Sequence, residues 1–227
     1  MSDLMAVVFD FDGIIVDTET AVFQAYRLIY EQCGVPLTRE QWCDQIGIWA
    51  EEPVDRWFTS LCELSDRAPD LATFQAEKRR LFQTLVSHEP MRGIRALVDA
   101  LADAGVPTAI ASSSPARWVV TAVDRAGLAG CFRTIVTAED VTDRKPAPDA
   151  YLEAVRRLGA APAQSIAIED SGPGIAAARA AGMKTIAIPH WLTEGHDLST
   201  ADLRVAHAGE LTVGILEALV KTADLIE

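Results

Sequence analysis

The stretch VVFDFDGIIVDTE, residues 7–19, opens on an apolar run and then sets Asp10 and Asp12 two positions apart, just ahead of Gly13. Asp-Gly is a common turn signal and acids often close a strand, so the pair taken alone reads as solvated punctuation. Residues i and i+2 of a strand nevertheless point to one face, about 6–7 Å apart along it. Two carboxylates on one face at the end of a buried strand become chemistry if other polar groups arrive at the same place. The rest of the chain decides that.

After residue 92 short β-like runs alternate with helical ones: PTAIA (107–111), FRTIV (132–136), SIAIE (165–169) and KTIAI (184–188), separated by GIRALVDALADAG, PARWVVTAVDRAG, PDAYLEAVRRLG and GIAAARAAG. Each helical run is long enough for a crossover, and most end in a glycine suited to a C-terminal cap. With AVVFD in front, the pattern predicts an α/β fold, a Rossmann-like parallel sheet wound with helices. A short strand near Leu203 to Val205 and a last helix, GELTVGILEALVKTA, complete it.

Residues 19–88 break the rhythm. AVFQAYRLIYEQCG, REQWCDQI, PVDRWFTSLCELS and LATFQAEKRRLFQTLV carry helical periodicity with no strand between them, and HEPMRG, with Pro90 and Gly93, suits the return. The expected organisation is a catalytic core of residues 1–18 and 89–227 with an inserted all-helical cap of residues 19–88. The two linkers, Val16 to Glu19 and His88 to Gly93, have the layout of a lid that closes over a small substrate.

In open parallel sheets ligands sit beyond the carboxyl ends of the strands, where strand order reverses. The first strand ends in Asp10 and Asp12, the second in ASSS (111–114), the fourth in Glu169 and Asp170 before SGPG, and DRKPAPD places Lys145 between the third and fourth. Acids converging on one rim repel unless a cation joins them. Mg2+, a hard cation that takes oxygen ligands and engages substrate phosphates, fits such a rim. Ser112 and Lys145 then offer the donors a phosphoryl dianion needs, and of the two leading acids one attacks while the other moves protons.

DFDGIIVDTE, ASSS, RKPAPD and EDSGPG stand in the order and spacing of the haloacid dehalogenase superfamily, and the chain resembles its β-phosphoglucomutase-like phosphatases with a helical cap. The likeness spans almost the whole chain. It implies that Asp10 is the nucleophile, Asp12 the general acid and base, Ser112 a phosphoryl-oxygen donor with Ser113 beside it, and Lys145 the cation joining nucleophile to phosphate. It also implies Mg2+ held by Asp10, the backbone carbonyl of Asp12, and Asp170, with Glu169 a ligand or an acid behind the ligands. The superfamily's dehalogenases lack the second acid, so Asp12 points to phosphoryl transfer. Its phosphonate-cleaving members use a lysine early in the cap, whereas Lys78, the only lysine between 19 and 88, comes late.

The expected activity is a Mg2+-dependent phosphatase acting on a small phosphorylated metabolite, a sugar or polyol monophosphate. Its rivals are a phosphosugar mutase and a non-catalytic phosphometabolite-binding protein. Mutases of this kind carry an arginine soon after a glycine in the first cap helices, and IGIWAEEPVDRW has Trp49, Glu51 and Glu52 there. Trp42, Trp49 and Trp57, spaced by seven and eight, suit one helical face of the cap core; Trp49 is also a candidate wall over the substrate. Arg56 and the run Lys78, Arg79, Arg80 read as solvated helix face, and His190 and His196 as loop histidines without a third metal ligand.

Composition agrees with a metabolic enzyme. The 227 residues carry a formal charge of −13 and are 49% hydrophobic, enough for a large core and opposed to nucleic acid or an anionic membrane surface. Cys33, Cys43, Cys62 and Cys131 show no metal-site or redox spacing. MSDLM lacks a signal-peptide pattern and no apolar run reaches membrane length. A cytoplasmic monomer or weak dimer is the expectation.

Overall fold

The structure is a computed structural model that describes residues 3–43 and 55–221. Trp49, Glu51 and Glu52 lie outside the described residues.

Strand β1 (Ala6–Phe9) is buried throughout and pairs in parallel with β2 (Thr108–Ala111) on one side and β4 (Ser165–Glu169) on the other. Beyond these lie β3 (Thr134–Val136), β5 (Lys184–Ala187) and β6 (Leu203–Arg204), giving one parallel sheet in the order β3-β2-β1-β4-β5-β6. Both faces are covered, which explains the apolar strands. Val7, Phe9, Ile110 and Ile168 pack with α5 (Ile94–Asp103), α6 (Ala116–Arg125) and α9 (Val213–Lys221). Ala6, Val8, Ala109 and Ala167 pack with α7 (Asp149–Leu158) and α8 (Gly172–Ala180). The predicted fold class is the observed one. The reversal falls at β1, so Asp10 leaves the sheet where chains on either side turn away from each other.

Among the described residues, four helices follow β1 before the chain returns to the sheet: α1 (Thr18–Gln32), α2 (Arg39–Cys43), α3 (Arg56–Leu64) and α4 (Leu71–Leu85). Asp17 starts α1 by accepting from the Thr20 amide at 3.0 Å, and Asp70 caps α4 through Thr73 at 2.9 Å. The helices share a core of Tyr26, Ile29, Tyr30, Trp42, Leu61, Phe74 and Leu81. Trp42 and Trp57 belong to that core, as expected, but on two helices rather than one face: Trp42 of α2 stacks on Trp57 of α3 with centroids 5.0 Å apart. The two linkers touch: Val16 pairs with Pro90, and the Met91 amide donates to the Ile15 carbonyl at 2.9 Å.

Two further features depart from expectation. Lys78 is not a solvated lysine: its Nζ donates to Asp55 Oδ2 at 2.6 Å and to the Tyr26 hydroxyl at 2.9 Å, so the cation ties α4 to the start of α3 and to α1. The loop after β5 is also more than a connection. Leu192 is fully buried in the cap's core, Trp191 Nε1 donates to Thr20 Oγ1 at 2.7 Å, and Arg39 donates to the Trp191 carbonyl at 2.5 Å. The cap therefore meets the core at this loop as well as at its two linkers and at Phe82, whose ring packs edge-on against Trp118 of α6 with centroids 5.0 Å apart. Leu192→Ala is expected to cost about 2–5 kcal/mol through the cavity it leaves, read as a lowered midpoint in urea unfolding; an unchanged midpoint would mean the loop only rests on the cap.

Candidate active site

Four strand ends and their loops converge at the rim of the sheet. Asp10 follows β1 and is held in place by its amide, which donates to the Ile168 carbonyl of β4 at 2.9 Å. Gly13 turns the chain away with φ of 82°, and a Cβ there would strike the Asp170 carboxylate. Glycine is needed at that position on both counts.

Lys145, in a loop where lysines are ordinarily solvated, is only 8% exposed. Its Nζ donates to Asp10 Oδ1, to Glu169 Oε1 at 2.7 Å and to the Ala111 carbonyl at 2.9 Å. Glu169 closes β4 and is wholly buried. Its Oε1 also accepts from the Tyr151 hydroxyl at 2.7 Å, and its Oε2 accepts from the Asp170 amide, the Ser171 amide and Ser171 Oγ at 3.1–3.3 Å. Five donors fill a carboxylate with about four lone-pair sites. Room for it comes from Gly174, where any Cβ would overlap the Glu169 carboxylate. Gly174 thus serves the acid of the neighbouring strand.

Asp10, Glu169 and Asp170 can bring one oxygen each to within 4.8 Å of one another, the only such group of His, Cys, Asp or Glu among the described residues. Three carboxylates face one ammonium, a formal shortfall of two positive charges. The electrostatics reflect it. Burial, with Glu169 and Asp12 adding repulsion, pushes the Asp10 carboxyl up to about 8 despite Lys145, and burial together with Glu169 and Asp10 raises Asp170 well above the carboxylate range. Lys145 stays cationic: burial opposes its charge, but Asp10 and Glu169 lift its pKa above the ordinary lysine value. Asp170 Oδ2 is buried and has no hydrogen-bond partner. A divalent cation fits both the charge deficit and the orphaned oxygen. Glu169, already filled, suits holding Lys145 better than holding a metal.

Asp12 sits apart from that cluster, with its carboxylate accepting from Thr18 Oγ1 at 2.7 Å and Ser114 Oγ at 2.6 Å. Ser112 is buried at the end of β2 and its Oγ accepts from the Ser114 amide at 2.9 Å. Ser113 is half-buried and makes no side-chain hydrogen bond among the described residues.

Four residues here were not singled out from sequence. Thr18 and Ser114 grip Asp12, and both lie inside the stretches quoted for their neighbours. Glu19 lies in the first turn of α1, and burial with the nearby Asp12, Asp10 and Asp17 pushes its carboxyl up to about 8. Tyr151 carries no sequence signal, since it falls on the apolar face of α7. His190 and His196 do not form a metal pair: His190 Nε2 meets Asp17 Oδ1 at 3.1 Å, and His196 Nε2 contacts the Cys43 carbonyl at 3.1 Å.

Known proteins share this architecture. The chain is 31% identical over 198 residues to a phosphorylated carbohydrates phosphatase of Thermotoga maritima, covering 86% of this chain and 90% of that one. It is 30% identical over 218 residues to a β-phosphoglucomutase of Bacillus subtilis, covering 94% of each. Among solved structures, CbbY from Rhodobacter sphaeroides in complex with phosphate superposes with a TM-score of 0.73 at 26% identity, over 96% of this chain and all of that one. Residues 7–188, from the strand before Asp10 to the end of the fifth, match the haloacid dehalogenase-like hydrolases, and the chain belongs to that family.

Proposed function

We propose that the chain is a Mg2+-dependent phosphatase that hydrolyses a small phosphorylated metabolite, a sugar or polyol monophosphate, through an aspartyl-phosphate on Asp10. Family membership makes it a phosphoric monoester hydrolase. The observation that carries the finer reading is the position of Lys145, a buried cation pressed on Asp10 and braced by Glu169. Asp10 attacks phosphorus, which divides a hard displacement into two easier ones. Asp12, gripped by Thr18 and Ser114, protonates the departing alkoxide and then takes a proton from the attacking water. Lys145 offsets the charge of a dianion that a carboxylate could not otherwise approach, and Ser112 and Ser113 orient its oxygens.

Asp10, Asp170 and the backbone carbonyl of Asp12 would hold the Mg2+, with Glu169 behind them. The ion, when bound, supplies charge neutralisation at the phosphoryl oxygens. Because Asp10 and Asp170 keep their protons at a pH where ordinary carboxyls have lost them, Mg2+ must displace protons to bind. Binding is therefore expected to release protons and to weaken as pH falls below about 8. Titration calorimetry in buffers of different ionisation enthalpy reads the release, and binding without it would mean that the acids are ionised beforehand. EDTA should stop turnover and Mg2+ restore it.

Residues 19–88 form the cap in this reading, and Trp49 is its proposed wall against the substrate. The name of the Thermotoga relative supports a carbohydrate phosphate as substrate. The likeness to a β-phosphoglucomutase favours a second reading, the mutase; against it stand Trp49, Glu51 and Glu52, where a basic residue for a second phosphate is expected. A panel of sugar phosphates, each with a trace of its bisphosphate, separates the two. Free phosphate as the main product is expected; faster isomer formation would establish the mutase, and no turnover of any ester, p-nitrophenyl phosphate included, would leave a binding protein.

A further inference from the structure

We propose that Tyr151 is a positioning residue whose hydroxyl sets the aim of Lys145 at Asp10 and the substrate's phosphoryl group. The inference deepens the phosphatase reading and rests on it. Lys145 Nζ has three protons and four acceptors around it: Asp10, Glu169 Oε1 at 2.7 Å, the Ala111 carbonyl at 2.9 Å and the Tyr151 hydroxyl at 3.2 Å. The phenol gives its own proton to the same Glu169 oxygen at 2.7 Å. That oxygen is thus shared between an ammonium and a phenol. With its charge partly satisfied by the phenol, Glu169 holds the lysine without capturing it, and Nζ keeps one of its three protons on Asp10, where an incoming dianion can share it.

The phenol is fixed enough to do this. Tyr151 has no exposed surface and belongs to the core cluster on the α7 and α8 face of the sheet. Its ring lies under the ammonium, with Nζ 4.7 Å from the centroid. The first turn of α7 therefore braces both the loop that carries Lys145 and the end of β4. Packing alone accounts for the ring and would be met as well by phenylalanine; it does not account for a hydroxyl placed on two members of the site.

Tyr151→Phe separates the two roles because it keeps the ring. The variant should lower kcat for p-nitrophenyl phosphate about 10-fold or more, the usual loss when the support of a site residue is removed. It should also weaken binding of inorganic phosphate, measured by titration calorimetry in saturating Mg2+, with the thermal midpoint shifted by only a few degrees. In a Lys145→Ala background the same change should add no loss in kcat or in phosphate affinity, since the two residues act in series. An active wild type with Tyr151→Phe at wild-type kcat and phosphate affinity would overturn the positioning role alone. So would equal losses in both backgrounds, or a variant that fails to fold, which would make the hydroxyl a determinant of the core. A wild type inactive on p-nitrophenyl phosphate with Mg2+ would instead strike the phosphatase reading itself.

Discussion

Asp10→Asn is expected to abolish turnover, by on the order of 10³-fold or more, while leaving the fold intact and the metal-free protein no less stable. The amide nearly preserves the size and the hydrogen bonding of the carboxylate but cannot attack phosphorus. The stability half of the prediction follows from the raised pKa. Asp10 holds its proton up to about 8 when folded, against an ordinary value of 3.8. Between those pH values the folded state binds more protons than the unfolded one, so its contribution to stability is fully present below about 4 and falls as pH rises toward 8. Asparagine, which does not titrate, removes that part of the fall. Thermal midpoints at pH 5 and pH 8 in EDTA should differ less for the variant than for the wild type. Retention of more than a few per cent of activity would move the nucleophile elsewhere, and a variant that unfolds would make Asp10 a structural acid.

The residues at the strand ends were readable because an α/β sheet translates local pattern into place. Asp10, Ser112, Glu169 and Asp170 each follow a short apolar run, and parallel pairing brings the ends of β1, β2 and β4 to one rim. Lys145 had no strand to mark it and was readable only through its setting between Arg144 and Pro146 in RKPAPD. The cap's helices showed in the 3.6-residue period, and with them the packing of Trp42 and Trp57 in the cap core, although the two rings meet across α2 and α3 rather than along one helical face.

What was not readable depends on contacts far apart in sequence. PHWLTEGH looks like any polar loop, yet Leu192 enters the core of the cap, more than a hundred residues away from the helices that surround it. Lys78 sits in a run of basic residues whose usual fate is solvent, and Arg80 does pair with its helical neighbour Glu77 at the surface. Lys78 differs because Asp55 and Tyr26 happen to face it across two helices. Tyr151 is the sharpest case: helical periodicity explains a large apolar ring at that position completely, so a pattern based on burial has nothing left over with which to flag the hydroxyl.

Asp12→Asn is expected to lower steady-state turnover by about 10²–10⁴-fold, the usual contribution of a positioned proton-transfer group. The geometry should survive, because the Thr18 and Ser114 hydroxyls that now donate to the carboxylate at 2.7 and 2.6 Å can rotate to accept from an amide. The two half-reactions then come apart according to the leaving group. p-Nitrophenolate departs without help from an acid, so Asp10 should still be phosphorylated and nitrophenolate released rapidly. Hydrolysis of the aspartyl-phosphate still needs a base to take a proton from water, and that step should become slow. Rapid mixing should accordingly show a burst approaching one nitrophenolate per chain, followed by a slow phase. A sugar phosphate, whose alkoxide must be protonated as it leaves, should show no burst, because the first step is lost as well. A wild-type rate would place the acid and base on another residue, with Glu19 the next carboxyl in the cleft to test. A burst of equal size on both substrates would confine Asp12 to the second half-reaction and leave the first to be assisted by another group.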